Sequence, residues 1–140
     1  MSSLVELFPD TAALADGQLS VAGILLSDLA AEYGTPLVVY DEATILSSVQ
    51  AYRAAAPDAL LVYGVKAFPN AALLRLLADE DVGADVSTLG ELELALRAGV
   101  PGERLVVHGN NKSDEELAAA AGAETAFVVV DALDEVERAA

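Results

Sequence analysis

Four short apolar runs recur in the later part of the chain: Leu60–Val65, Gly83–Ser87, Leu105–His108 and Ala126–Val130. Their centres lie roughly 22 residues apart, which suits a short strand, a loop and a helix of about ten residues. Runs that are apolar throughout, without alternation, predict parallel strands buried on both faces. Between them the apolar positions take helical period. Leu73, Leu74 and Leu77 form one stripe, and Leu92, Ala95 and Leu96 form another. Ser113 and Glu116 stand three apart and predict a capping box that opens the third helix, and Thr88 with Glu91 predicts the same for the second. A fourth helix begins near Ala132 and is cut off at Ala140. Successive strand–helix units with short loops predict an α/β fold, either a (β/α) barrel or a doubly wound sheet. No Gly-x-Gly-x-x-Gly follows any of the runs, which weakens a dinucleotide-binding reading.

The first part of the chain has a different pattern. Leu19-Ser20-Val21 reads as a strand after an Asp16-Gly17 turn, and Leu25–Tyr33 as a short helix ended by Gly34. Pro36 opens a further predicted strand, Leu37–Tyr40. A longer helix follows, with Ile45, Leu46, Val49 and Tyr52 on one face, and Pro57-Asp58 ends it. The expected division is therefore an N-terminal segment, residues 1–40, and a strand–helix repeat, residues 41–140. About four βα units make half of an eight-unit barrel, and a complete one needs about 250 residues. The expectation is a fragment of a longer protein, inactive and poorly folded on its own because of its open sheet edges.

Composition narrows the function. The 140 residues carry a formal charge of −16, from 23 acidic and 7 basic side chains. Such a surface repels phosphate backbones and anionic lipid, so neither nucleic acid nor a membrane is an expected partner. The hydrophobic fraction of 54% provides for a core. There is no cysteine and a single histidine, which excludes thiolate chemistry, cysteine-ligated zinc and a histidine-rich metal site. No apolar run approaches the roughly 18 to 20 residues of a membrane helix. Met1-Ser2-Ser3-Leu4-Val5-Glu6 lacks the basic start of a signal peptide, so the expected location is the cytoplasm.

The ends of the predicted strands carry the candidate chemistry, because βα folds bind ligands at the carboxyl ends of their strands. The first run ends at Lys66, the second at Asp85-Val86-Ser87-Thr88, the third at His108-Gly109-Asn110-Asn111-Lys112 and the fourth at Asp131. Both lysines and the only histidine thus fall on one rim. A lysine held in a dry pocket loses part of its proton, and its nitrogen can then attack a carbonyl to form an imine. Each residue also has a plainer reading. Lys66 can simply extend its ammonium into water. Asp85 can cap a turn, Glu91 can serve only as the capping partner of Thr88, and His108 can be a hydrogen-bonded rim histidine. Asn110-Asn111 fits turn chemistry, and Asp114-Glu115-Glu116 fits a solvated helix start that complements the dipole.

Four stretches together resemble a known family. They are Tyr33-Gly34-Thr35-Pro36-Leu37, Tyr63-Gly64-Val65-Lys66-Ala67, Gly83-Ala84-Asp85-Val86-Ser87-Thr88-Leu89-Gly90-Glu91-Leu92 and His108-Gly109-Asn110-Asn111-Lys112-Ser113. In this order and spacing the chain resembles the diaminopimelate decarboxylases, pyridoxal-phosphate enzymes with an alanine-racemase-like barrel. The resemblance covers roughly Leu29 to Arg138. It implies the N-terminal part of a pyridoxal-phosphate-binding (β/α)8 barrel, preceded by strands that pair with a C-terminal β-domain. It implies that Lys66 carries the cofactor through its amine and that Asp85 lies close to that lysine. By the same resemblance Glu91 is nearby, and His108 begins a rim segment lining the cofactor site. The implied reaction turns meso-diaminopimelate into L-lysine, in an enzyme that works as a homodimer. Leu89-Gly90 stands where the family often has Gly-Gly, and Phe68 where it often has Asn. The family's glycine-rich phosphate loop, its cofactor-ring partners and its substrate-binding residues correspond to positions beyond 140.

Three rival readings remain. One is a decarboxylase of ornithine, arginine or a related amino acid on the same fold. Another is a non-catalytic carrier of pyridoxal phosphate, and the third is a βα scaffold whose rim is coincidence.

Overall fold

The computed structural model describes residues 7–140, so the N-terminal hexapeptide lies outside the described residues. Two compact units divide the chain at Ala55 and Ala56.

In the first unit, three short strands form an antiparallel sheet in the order β1 (Ala13–Ala15), β2 (Gln18–Val21), β3 (Ile24–Leu25). The predicted Asp16-Gly17 turn joins the first two, with both residues at positive φ, and Ala13 pairs with Ser20. Helix α1 (Leu26–Tyr33) ends at Gly34, whose φ of 80° suits a residue without a Cβ. Helix α2 (Glu42–Ala55) begins after Asp41, a buried carboxylate that accepts hydrogen bonds from the Thr44 backbone and hydroxyl. Those bonds, the hydroxyl first, hold the Asp41 pKa below its ordinary value. Of the four residues expected on the buried face of α2, Val49 is buried and Ile45 and Leu46 are half-buried, whereas Tyr52 is exposed.

The predicted strand Leu37–Tyr40 does not form. The segment joins no sheet ladder, and Val38 is 77% exposed. A β-branched and aromatic run needs a paired neighbour to become a strand, and no described segment supplies one.

The second unit is a four-stranded parallel sheet in the order β4 (Val62–Gly64), β5 (Gly83–Val86), β6 (Leu105–Val107), β7 (Phe127–Val128). Helices α3 (Ala71–Asp79), α4 (Leu89–Ala98) and α5 (Asp114–Gly122) connect successive strands, and α6 (Leu133–Ala139) follows the last. Four neighbours in chain order, with no reversal, form a continuous winding without the switch point of a doubly wound sheet.

Each strand is shorter than its apolar run. Leu60 is exposed, and Val65-Lys66-Ala67 leaves the ladder as a 3-10 turn. The core lies between one face of the sheet and the helices. Val65, Ala84, Val86, Leu105 and Val107 meet Leu74, Leu92, Ala95, Ala98 and Ala120 there. Right-handed crossovers put consecutive helices on the same side. The opposite face, with Gly64, Asp85, Val106 and Phe127 in one row, is only partly buried, and Phe127 is exposed. Burial on both faces was the sequence expectation; the described residues cover one. Leu96, expected in the buried stripe of α4, is 40% exposed, and Ala98 takes the interior position beside Ala95.

Two glycines permit the tight returns between helix and strand. A Cβ on Gly83 would lie 2.0 Å from the Arg104 carbonyl oxygen, and one on Gly102 would lie 1.7 Å from that of Ala123. Among the described residues no helix is long and apolar enough to cross a membrane.

Candidate active site

The carboxyl ends of β4, β5 and β6 bring three of the expected residues to one rim. Lys66 sits in the turn directly after β4, and that turn packs beside β5. Its neighbour Val65 is fully buried and anchors the turn, while Lys66 itself is exposed and has no hydrogen bond or ion pair within the described residues. The dry pocket expected around this amine is not formed by them.

Asp85 is the third residue of β5 and points to the face opposite the core, as strand alternation requires. Its register partners are Gly64 and Val106. Gly64 leaves open space beside it, since nothing lies within 4 Å of where a Cβ would stand. One carboxylate oxygen of Asp85, Oδ1, is buried with no hydrogen-bond partner among the described residues. The other, Oδ2, lies 3.7 Å from Nδ1 of His108. His108 extends the ladder, because its backbone N–H donates to the Val86 carbonyl at 2.8 Å, and its side chain is 52% exposed.

Glu91 has a structural task. Its carboxylate accepts the Ser87 backbone N–H at 2.6 Å, and its own N–H donates to the Thr88 hydroxyl. The expected box at this helix is therefore shifted by one residue on the glutamate's side. Ser113 and Glu116 form the expected box in full, and Glu116 also accepts the Leu89 N–H of the preceding helix. The Ser113 N–H, above all, lowers the Glu116 pKa.

Lys112 lies on the rim loop after β6, as the sequence placed it, but its side chain is turned inward. It is 2% exposed, and its Nζ donates to Glu135 Oε2 at 2.8 Å and to the Gly109 carbonyl at 2.7 Å. Glu135, 1% exposed, also accepts the Lys112 backbone N–H at 2.9 Å and the Asp131 N–H at 3.3 Å. The ammonium, first among these groups, pulls the Glu135 carboxyl from 4.5 down to about 2. Glu135 was missed in the sequence. It occupies the third position of its helix, as Glu91 and Glu116 do, but the residue before the helix is Ala132, so no hydroxyl announces the motif.

The rim thus offers one free amine, one carboxylate with an unsatisfied buried oxygen, and one imidazole near that carboxylate. This set suits an aldehyde cofactor, which an amine can take up through its carbonyl while a carboxylate beside it orients the nitrogen. Residues 42–140 match the family described as pyridoxal-dependent decarboxylase, pyridoxal binding domain. The chain belongs to this family.

Pyridoxal-dependent decarboxylases similar to the chain include the diaminopimelate decarboxylase of Actinosynnema pretiosum subsp. auranticum, which is 42% identical over 132 residues. That match takes in 94% of this chain and 30% of the relative. The crystal structure of AQ1208 from Aquifex aeolicus superposes with a TM-score of 0.89 at 40% identity, over 92% of this chain and 32% of the other. The diaminopimelate decarboxylase of M. jannaschii, solved in co-complex with L-lysine, gives a TM-score of 0.81 at 32% identity, over 93% of this chain and 32% of the other. The chain spans about a third of the length of these relatives. Its sheet and helices correspond to the N-terminal portion of the pyridoxal-binding barrel, with an antiparallel sheet before it. The family's cofactor is pyridoxal phosphate, and the residues on this rim fit it.

Proposed function

We propose that the protein bearing this chain decarboxylates meso-2,6-diaminopimelate to L-lysine, with Lys66 as the residue that holds pyridoxal phosphate. The observation that carries the assignment is the contrast between the two lysines. Lys66 projects freely beside the strand that carries Asp85, and Lys112 is neutralised inside a buried ion pair. An amine buried against a carboxylate at 2.8 Å is closed to an incoming carbonyl, whereas an exposed one is open to it.

When bound, the cofactor supplies an electron sink for the pair left behind as carbon dioxide departs. The chain's own residues prepare the place. Oδ1 of Asp85, without a hydrogen-bond partner among the described residues, would orient the cationic nitrogen of Lys66 at the site. The bare Gly64 leaves room for a planar group alongside it. His108 lines the outer side of the same space, and Glu91 holds the loop after β5 in shape through Ser87.

The identity of the relatives supports the diaminopimelate substrate. The resemblance supports a cytoplasmic homodimer in which residues 1–40 pair with a β-domain outside this chain. Adding pyridoxal phosphate to the full-length protein is expected to produce an imine absorption band that Lys66→Ala lacks. Diaminopimelate and ornithine assayed side by side should release carbon dioxide from the first. Equal spectra for parent and variant remove the role of Lys66, and preference for ornithine removes the substrate assignment.

A further inference from the structure

The Lys112–Glu135 pair is too costly a structure to leave unexplained. Two ionised groups have been taken almost wholly out of water, although an apolar pair of similar volume would pack there without a desolvation penalty. Every hydrogen bond between the pair and the backbone falls on a rim loop. Lys112 Nζ closes the loop after β6 on itself by bonding the Gly109 carbonyl, one residue from His108. Asn111 in between sits at a φ of 55°, in the left-handed region, so the loop is held in a tight curve. Gly109 lies against the loop after β5, where a Cβ would come 3.0 Å from the Ser87 carbonyl oxygen. Glu135 then ties this closed loop to the loop after β7, through the N–H groups of Lys112 and Asp131. Arg138 of the same helix adds hydrogen bonds to the Lys112 carbonyl and to Asp114.

We propose that Lys112 and Glu135 are positioning residues, a buried clamp that sets His108 against Asp85 at the cofactor site. This inference rests on the cofactor reading of the rim given above. The geometry explains why charge was placed in the interior. An ammonium offers several donors from one atom, and here it reaches a backbone carbonyl and a carboxylate at once. A carboxylate offers acceptors enough for two loops, and Glu135 uses both oxygens. No apolar pair could set the register between the two loops by direction as well as distance.

The test uses the full-length protein loaded with pyridoxal phosphate. Lys112→Met/Glu135→Gln removes both charges together, which avoids leaving either one buried alone. Two readouts are followed beside the melting curve: the rate of diethylpyrocarbonate modification at His108, mapped by peptide, and the dissociation constant of the cofactor from its absorption band. The clamp predicts a folded variant in which the His108 rate changes about threefold or more and cofactor affinity falls about tenfold, as small misplacements do. An altered melting temperature with both readouts unchanged overturns the proposal and leaves a merely structural pair. If the double variant does not fold, Glu135→Asp carries the same test, since it keeps the charge and withdraws it by one methylene. A parent protein with no cofactor on Lys66 overturns the cofactor reading itself, whereas a correctly loaded parent with an indifferent variant overturns only the clamp.

Discussion

His108 Nδ1 stands 3.7 Å from Asp85 Oδ2, while Oδ1 of the same carboxylate is buried and makes no hydrogen bond among the described residues. One side of Asp85 thus faces an imidazole, and the other has no partner among the described residues. An unsatisfied buried acceptor destabilises the fold that contains it. Such a cost makes sense where a ligand completes the bond.

The first prediction follows from that cost. Asp85→Asn should leave the melting temperature of the cofactor-free protein equal or higher. It should also weaken pyridoxal phosphate binding by about 1.5–3 kcal/mol, the usual worth of a hydrogen bond to a charged group. Thermal melts and absorbance titration of the same preparation check both halves. A variant that melts lower and binds equally well would assign Asp85 to the fold alone.

Acid should loosen the region around α6. The Glu135 carboxyl is pulled from 4.5 to about 2 in the folded state, chiefly by Lys112. A carboxylate lowered in this way stabilises the fold fully above its unfolded pKa, and the contribution disappears as pH falls from 4.5 towards about 2. Glu116 and Asp41 are lowered too and act in the same direction. Melting temperature measured down through this window should drop. Glu135→Gln should start lower and show a shallower acid slope, because its side chain no longer titrates.

Glycine substitutions should separate close approach from mere flexibility. Gly83→Ala and Gly102→Ala would place a Cβ within 2.0 Å and 1.7 Å of backbone oxygens, which cannot be relieved by a rotamer change. Each should destabilise by about 1–3 kcal/mol or more. Gly90 lies in α4 with open space where its Cβ would stand. Gly90→Ala should stabilise by about 0.4–1 kcal/mol, by restricting the unfolded chain. Urea denaturation of the three variants gives the comparison.

The strand–helix repeat was legible because local signals and packing agree in it. Asn70, Thr88 and Ser113 each cap a helix where the apolar period begins, and Leu74, Leu92 and Ala95 of the predicted stripes pack in the core against the sheet. Leu37–Tyr40 misled because β propensity is satisfied only by a neighbouring strand, and none of the described segments pairs with it. Strands β1 and β3, three and two residues long, are too short to leave a pattern in the sequence. At the rim, residue type located Lys66, Asp85 and His108 but could not say which lysine was free. That depended on Glu135, 23 residues beyond Lys112 in the chain, and no local pattern links the two.

The most direct test of the account is reductive trapping. The full-length protein is incubated with pyridoxal phosphate, reduced with borohydride, digested and mapped. The expected result is a single stoichiometric adduct in this chain, on the peptide containing Lys66, with Lys112 unmodified. An adduct on Lys112, or none on either lysine, would contradict it.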